Sequence, residues 1–224
     1  MPQPKNYTIH HRNITVFQTE NEAPCVWLNT FVQEAGFVWN VCQELNAPTF
    51  TLIAIQINDW NSALSPWTAP AIFKGKADFA GQGSTYLKEL TGNIIPEVTE
   101  LLPTKPFYHA IAGYSLAGLF TIWSLYQTEL FQRAASGLLW YPGFQEYAET
   151  HDPLRRPDAV YFSLGDREHR TRNPLMATVQ DRTQALHDHF MGQQIRTTFE
   201  RNPGNHFQEP ALRMAKGIKW MPEQ

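Results

Sequence analysis

The sequence predicts an α/β fold in which helices cover both faces of a mostly parallel central sheet. From residue 34 onward, short β-rich runs alternate with segments of helical periodicity, as they do in successive βα units. No internal repeat and no Pro/Gly/Ser-rich linker divides the 224 residues, and 42% of them are hydrophobic. Because this length and composition suit a single core, we interpret residues 1–224 as one domain.

The first part of the chain is predicted to form three strands and one helix. Strands are expected at residues 13–17 and 25–31, as a hairpin or as neighbouring strands, with a polar turn at 18–23 between them. Apolar residues recur at helical spacing over 34–45 and indicate a helix. The continuous apolar run at 50–57 is typical of a buried strand.

A long loop-like stretch follows, from Asn58 to about Gly83, and it is rich in Trp, Pro, Ala and Gly. Structureless loops of this length are usually functional. Residues 84–102 then have helical character, with Ser84 as an N-cap and Pro96 as a kink or restart.

The rest of the chain alternates between strands and helices. Strands are expected at 107–112, 134–140, 159–164 and 194–200. Helices are expected at 116–127, 174–191 and 209–219. In sheets of this kind the chemistry gathers beyond the carboxyl ends of the strands, so the residues after each strand are the candidates for a functional site.

Ser115 is the first of these candidates, because it lies between a predicted strand and a predicted helix in Gly113-Tyr-Ser-Leu-Ala-Gly118. A nucleophile elbow holds its serine on such a turn and needs small neighbours so that the backbone can bend tightly. Gly113, Ala117 and Gly118 supply them, although the usual G-x-S-x-G pattern has glycine at the position of Ala117. The pattern predicts a nucleophilic serine.

A nucleophilic serine needs an imidazole to take its proton and a carboxylate to orient that imidazole. His206 follows the last predicted strand in a turn-rich loop just before the last helix. The acid is expected in the loop 165–170, where Glu168 is favoured and Asp166 is the alternative. The order Ser, acid, His is one of the known orders of such triads.

The tetrahedral intermediate of acyl transfer also needs hydrogen-bond donors for its oxyanion. Leu116 supplies one backbone N–H by its position after the serine, and the second is expected from the loop that opens with Asp59 and Trp60. Trp60, Trp67 and Trp140 follow predicted strands and are expected to line a substrate pocket.

These features resemble the α/β-hydrolase esterases that are related to esterase D and to the enterobactin-type siderophore esterases. The resemblance covers about residues 50–220 and rests on five segments: Gly113 to Gly118, Asp59 to Trp67, Ser136 to Phe144, Gly165 to Glu168, and Gly204 to His206. It implies an α/β-hydrolase fold without a large cap domain, acting on carboxylic esters with no cofactor and no metal. It also implies that Ser115 is the nucleophile, His206 the base and Glu168 the orienting acid.

Charge and composition narrow the range of partners. The net charge of −3 and the absence of a Lys/Arg cluster in the sequence give no footprint for nucleic acid or an anionic membrane. The N-terminus has neither the basic nor the apolar region of a signal peptide, so we expect a cytoplasmic protein. Cys25 and Cys42 lack metal-type spacing and are expected to be buried free thiols.

The sequence therefore predicts a serine hydrolase that cleaves small-molecule carboxylic esters through an acyl-enzyme. An acyltransferase or a thioesterase could use the same triad, and a non-catalytic hydrolase-fold binding protein is a further alternative. Assembly into a homo-oligomer is left open.

Overall fold

The structure is a computed structural model that describes residues 3–31, 34–72, 75–137 and 141–222. Its strands are β1 (Lys5–Ile9), β2 (Arg12–Phe17), β3 (Cys25–Thr30), β4 (Thr51–Gln56), β5 (Thr68–Ala69), β6 (Phe79–Ala80), β7 (His109–Tyr114), β8 (Phe131–Gly137), β9 (Ala159–Gly165) and β10 (Arg196–Asn202). Eight of them form one sheet in the order β1-β2-β4-β3-β7-β8-β9-β10, while β5 and β6 form a short hairpin.

The helices are α1 (Glu34–Glu44), α2 (Trp60–Ala63), α3 (Gly83–Glu89), α4 (Ile95–Glu100), α5 (Leu116–Ser124), α6 (Phe144–Thr150), α7 (Val179–Gly192) and α8 (Pro210–Trp220). None of the helices in the described part of the chain is both long and apolar enough to span a bilayer.

The sheet is mostly parallel, as the sequence predicts. From β4 to β10 every neighbouring pair in the sheet is parallel, whereas β2 runs antiparallel to both β1 and β4. Parallel strands bring their carboxyl ends to one edge, and the loops that leave this edge follow β3, β4, β7, β8, β9 and β10.

Two apolar layers hold the sheet between helices. Along β3, Val26 and Leu28 pack on the face that α1 and α8 cover, whereas Cys25 and Trp27 pack on the face that α3, α4 and α5 cover. This alternation is the period of two that a strand buried on both faces requires. The prediction of helices on both faces is confirmed.

The structure corrects the expected pairing of the first strands. Residues 13–17 and 25–31 were expected to be neighbours, but β4 lies between β2 and β3 and pairs with both. β2 forms its hairpin with β1, which the sequence analysis did not predict. The exposed, mostly polar β1 carries a weak apolar pattern, and this explains the omission.

The long segment after β4 is less irregular than expected. It contains the single turn α2 and the hairpin of β5 and β6 before α3 begins at Gly83, with Gln82 rather than Ser84 at the cap. A π-helical turn at Leu90–Ile94 joins α3 to α4. Pro96 is the second residue of α4, just after this π-helical turn, so the helical backbone continues from α3 into α4 through an irregular turn next to the proline.

Other elements are displaced by a few residues from their predicted bounds. β7 ends at Tyr114, so Ser115 follows the strand directly. The strand expected at 134–140 is β8 at Phe131–Gly137, and residues 138–140 lie outside the described part of the chain. α6 was not predicted.

Candidate active site

Ser115 lies at the carboxyl edge of the sheet on a tight turn between β7 and α5. Its backbone has φ 58° and ψ −128°, a conformation that non-glycine residues adopt only under strain. The turn is crowded: a methyl group on Gly113 would lie 2.4 Å from the carbonyl of Ala117. One on Gly118 would lie 2.9 Å from the carbonyl oxygen of Gly113. The small residues read from the sequence are therefore needed by the turn itself.

His206 reaches the serine from the loop between β10 and α8. Its Nε2 lies 3.1 Å from Ser115 Oγ, within hydrogen-bond distance. The imidazole stacks on the ring of Tyr114, with centroids 5.0 Å apart, and the Tyr114 hydroxyl donates to the backbone carbonyl of His206 at 2.7 Å. Tyr114 thus holds both the ring and the backbone of the histidine.

Glu168 is the carboxylate that the structure brings to His206. Its Oε2 accepts from His206 Nδ1 at 2.9 Å, and its Oε1 accepts from the backbone N–H of Gly165 at 2.7 Å. The Glu168 side chain is only 2% exposed. A buried carboxylate needs several such donors, because removal from water otherwise penalises its charge.

Asp166, the alternative acid, has a different position. Its side chain is 54% exposed, and its Oδ1 accepts from the backbone N–H of Gly204 at 2.8 Å. Two backbone hydrogen bonds join the same segments, from Asp166 N–H to the Asn202 carbonyl and from Arg167 N–H to the Gly204 carbonyl. Asp166 therefore ties the loop after β9 to the loop that carries His206.

Arg213 is the residue that the sequence analysis missed. It lies on α8, has no exposed side-chain surface, and its Nη1 donates to Glu168 Oε1 at 2.7 Å and to the Tyr114 hydroxyl at 2.8 Å. Its Nη2 donates to the backbone carbonyl of Asn205 at 2.8 Å. Burial first, and then the Glu168 charge, raise the pKa of the Tyr114 hydroxyl, so this phenol stays neutral.

The sequence carries one sign of this buried residue. Arg213 lies on the apolar face of α8, next to Met214 and four residues before Gly217.

The residues expected to supply oxyanion donors lie in different places. Leu116 begins α5 and lines the pocket beside Ser115. Asp59, in contrast, is half exposed, accepts from Arg12 at 3.2 Å, and is not among the described residues that line the pocket. The strand next to β7 is β3 rather than β4, and Phe31, directly after β3, lines the pocket together with Ser115. Chain order does not reveal that β3 inserts between β4 and β7.

A pocket of about 1100 Å³ opens above Ser115, and most of its walls are apolar. Trp60 lines it and stacks on Phe31, with ring centroids 3.8 Å apart. Trp67 lies behind the wall, where it packs on Tyr141 and donates from Nε1 to the carbonyl of Pro142. Trp140 lies outside the described residues.

Charged groups border the same pocket, and other aromatic rings lie open within it. Lys76, Arg167 and Arg170 line it together with Glu34. Phe207 is 82% exposed and also lines the opening.

In the part of the chain that the structure describes, no group of three or more His, Cys, Asp or Glu side chains could hold a metal ion.

The fold and the strained serine turn at the carboxyl edge of the sheet together define an α/β-hydrolase. Within that superfamily the chain belongs to the family described as "Putative esterase", which matches residues 27–210. It is therefore a carboxylesterase-type hydrolase, and the resemblance read from the sequence is confirmed.

The individual proteins that the chain is similar to share a quarter of its residues or fewer. The chain is 24% identical over 204 residues to the uncharacterized protein YbbA of Bacillus subtilis (strain 168). The aligned region covers 85% of this chain and 80% of YbbA. Its fold is similar to that of an IroE-like serine hydrolase from Shewanella oneidensis, with a TM-score of 0.80 and 14% identity over 97% of this chain and 79% of that one. It is also similar to the siderophore hydrolase EstA from Aspergillus nidulans, with a TM-score of 0.74 and 15% identity over 93% of this chain and 89% of that one.

Proposed function

We propose that this enzyme hydrolyses carboxylic esters through an acyl-enzyme, with Ser115 as nucleophile, His206 as base and Glu168 as the acid that orients the base. The observation that carries the proposal is the unbroken line of contacts from Ser115 Oγ to His206 Nε2 at 3.1 Å and from His206 Nδ1 to Glu168 Oε2 at 2.9 Å. This is the geometry that proton transfer from a serine requires.

In the first half of the reaction, Ser115 Oγ attacks the ester carbonyl carbon while His206 Nε2 takes the hydroxyl proton. The Nδ1–H remains hydrogen-bonded to Glu168 Oε2, which fixes the tautomer and stabilises the imidazolium. His206 then returns the proton to the leaving alcohol, and the acyl group stays on Ser115. In the second half, His206 takes a proton from the water that attacks the acyl carbon, and it returns this proton to Ser115 Oγ when the bond to the serine breaks and the carboxylic acid leaves.

The oxyanion of each tetrahedral intermediate forms at the first turn of α5. In a nucleophile elbow the residue after the serine supplies one backbone N–H, which assigns this role to Leu116, and the amino end of α5 adds the positive end of its helix dipole. For the second donor we propose the segment that begins with Phe31 after β3, the strand hydrogen-bonded to β7; Phe31 lines the pocket, and its N–H donates to Glu34 Oε2 at 3.1 Å, a bond that the oxyanion would replace.

The pocket favours esters of small to medium size with an apolar or aromatic part. The stacked pair of Phe31 and Trp60 offers a flat apolar wall next to the reacting centre. The named function of EstA, siderophore hydrolysis, is a property of that protein; for this chain the apolar walls support an ester with an apolar acyl or aryl group.

Ser115→Ala tests the proposal directly. The variant should lose about 10⁴-fold or more in kcat on p-nitrophenyl esters, because the nucleophile is gone while the fold is unaffected. A panel of acyl esters, thioesters and lactones should be assayed, with product analysis in the presence of a competing alcohol to separate hydrolysis from acyl transfer.

The matched control is Ser84→Ala, which removes an exposed hydroxyl from α3. It should retain wild-type turnover, and a fluorophosphonate probe should label wild type and Ser84→Ala but not Ser115→Ala. Unchanged turnover in Ser115→Ala would rule the mechanism out.

A further inference from the structure

Three arginines border a hollow at the opposite end of the sheet from Ser115. The hollow measures about 420 Å³ and lies where β8, β9 and β10 begin. Arg133, Arg156 and Arg196 line it together with Pro157, Asp158 and Gln194. The three arginines are far apart in the sequence, and none of the lining residues takes part in the proposed reaction.

The sheet register explains why two of these arginines face each other. Arg133 on β8 and Arg196 on β10 both pair with Ala159, the first residue of β9. Residues paired in this way project to the same face, with their Cα atoms two strand spacings or roughly 9.5 Å apart. Ala159 between them is fully buried, and the guanidinium groups of Arg133 and Arg196 lie over the rings of Tyr108 and Trp220.

The third arginine comes from the loop before β9. Arg156 Nη2 donates to the backbone carbonyl of Gln194, which fixes its guanidinium beside the start of β10. The hollow is thus bordered by side chains or backbone from three consecutive elements of the sheet.

Positive charge at this hollow exceeds negative charge. Asp158 is the one carboxylate among the lining residues, and it already accepts from Arg155 at 3.3 Å. Arg133 donates through Nη1 to the Tyr108 hydroxyl and to the backbone carbonyl of Met221, and its guanidinium lies 4.4 Å from the centroid of the Tyr108 ring. Desolvation first, and then the charge of Arg133, lower the pKa of Arg196. A bound anion would offset the repulsion between these arginines.

We propose that this hollow is a binding site for a phosphate group. Guanidinium groups donate pairs of parallel hydrogen bonds that match the oxygens of phosphate, and convergent arginines suit its multiple charge better than that of a single carboxylate. The hollow is larger than a phosphate ion, so it also has room for a small organic group that carries the phosphate. This proposal is independent of the proposed esterase reaction.

Thermal unfolding of the full chain tests the site. Inorganic phosphate and phenyl phosphate, each up to about 50 mM, should raise the melting temperature more than chloride does at equal ionic strength, because a ligand of the native state stabilises it by mass action. Tighter binding of phenyl phosphate would identify a phosphate ester as the better ligand, whereas equal binding would identify the free ion; both results support the site. No rise beyond that in chloride would overturn the proposal.

Four variants sharpen the test. Arg156→Gln and Arg196→Gln, both at exposed positions, should each weaken phosphate binding about tenfold or more. Asp158→Asn should tighten it several-fold, since the competing carboxylate is removed. Arg172→Gln, an exposed arginine outside the hollow, should leave it unchanged. Wild-type affinity in both Arg156→Gln and Arg196→Gln, or weaker binding in Asp158→Asn, would contradict the assignment.

Discussion

The carboxylate of Glu168 is almost completely buried, and each of its contacts is a hydrogen bond with a defined direction. Oε1 accepts from Gly165 N–H and Arg213 Nη1, while Oε2 is left for His206 Nδ1. The carboxylate therefore cannot rotate without breaking two bonds. A glycine is needed at 165, because a methyl group there would lie 2.4 Å from the carbonyl oxygen of Gly204 and 2.7 Å from Arg213 Nη2.

The two carboxylates of this loop give opposite expectations on substitution. Glu168→Gln removes the charge that orients His206 and should lower kcat about 10³-fold or more, as loss of a triad acid does elsewhere. Steady-state kinetics on a p-nitrophenyl ester measures the loss, and circular dichroism checks the fold, since the change also leaves buried Arg213 without its ion-pair partner.

Asp166→Asn is the matched control. Its oxygen still accepts from Gly204 N–H, so kcat should stay within about threefold of wild type, in the range of an exposed substitution. If Asp166→Asn lost as much activity as Glu168→Gln, Glu168 would not be the acid. Small and equal losses in both variants would indicate a Ser-His pair that works without an acid.

At the scale of elements, α8 connects the sheet to the histidine loop through one side chain. Arg213 extends from α8 to the carboxylate after β9, to the hydroxyl at the end of β7, and to the carbonyls of Pro203 and Asn205 before α8. Four segments of the chain thus meet at one guanidinium. The ion pair it forms with Glu168 is fully buried, so both charges depend on each other.

Arg213→Met should therefore be strongly destabilising. Removing one partner of a buried ion pair leaves an uncompensated charge, which costs about 3–5 kcal/mol of unfolding free energy. Urea denaturation measures this, and kcat on an ester should fall as well, because the carbonyls of the histidine loop lose their donor.

Arg213→Lys is the comparison that isolates the geometry. Lysine keeps the charge but has a single ammonium in place of the planar fork, so it cannot serve Glu168, Tyr114 and Asn205 together. We expect intermediate stability and a lowered kcat. Wild-type stability and kcat in both variants would show that Arg213 is not needed to position the site.

Comparison with the sequence shows which elements carry a local signal. The elbow, the histidine loop and the acid loop could be read because each has small or turn residues after an apolar strand. The neighbour relations could not be read, because chain order does not show that β3 inserts between β4 and β7. Arg213 was missed because arginine side chains usually reach solvent, so one arginine on the apolar face of α8 does not by itself indicate a buried ion pair.

In the molecule as a whole, the candidate active site and the arginine hollow lie at opposite ends of the parallel strands. The serine, the histidine and the acid lie beyond the carboxyl ends of β7, β10 and β9, whereas the arginine hollow lies at the amino ends of β8, β9 and β10. The sequence shows no basic cluster, because Arg133, Arg156 and Arg196 come together only when the strands align. Net charge therefore did not reveal a local concentration of arginine.

The two-sided core also buries groups that ionise in alkali. Cys25 and Cys42 are free thiols with at most 1% exposure, in agreement with the sequence. Burial raises the pKa of each from 9.0 to about 12. Burial likewise raises the pKa of Tyr141 from 10.0 to about 12. Each of these groups stays neutral in the folded protein at pH values where it would ionise in the unfolded chain.

The free energy of unfolding should therefore decrease at alkaline pH, below the pH at which these buried groups ionise in the folded protein. A group whose folded pKa is raised contributes its full stabilisation below its unfolded pKa, and that contribution is lost as pH rises towards the folded value. The window for the thiols is pH 9 to about 12, with a loss of about 1.4 kcal/mol per thiol for each pH unit above 9. Urea denaturation at pH 8, 9 and 10 measures the slope, and Cys42→Ala should reduce it by the share of one thiol. A Cys42→Ala slope equal to that of wild type would mean that this thiol ionises as readily in the folded chain as in the unfolded one.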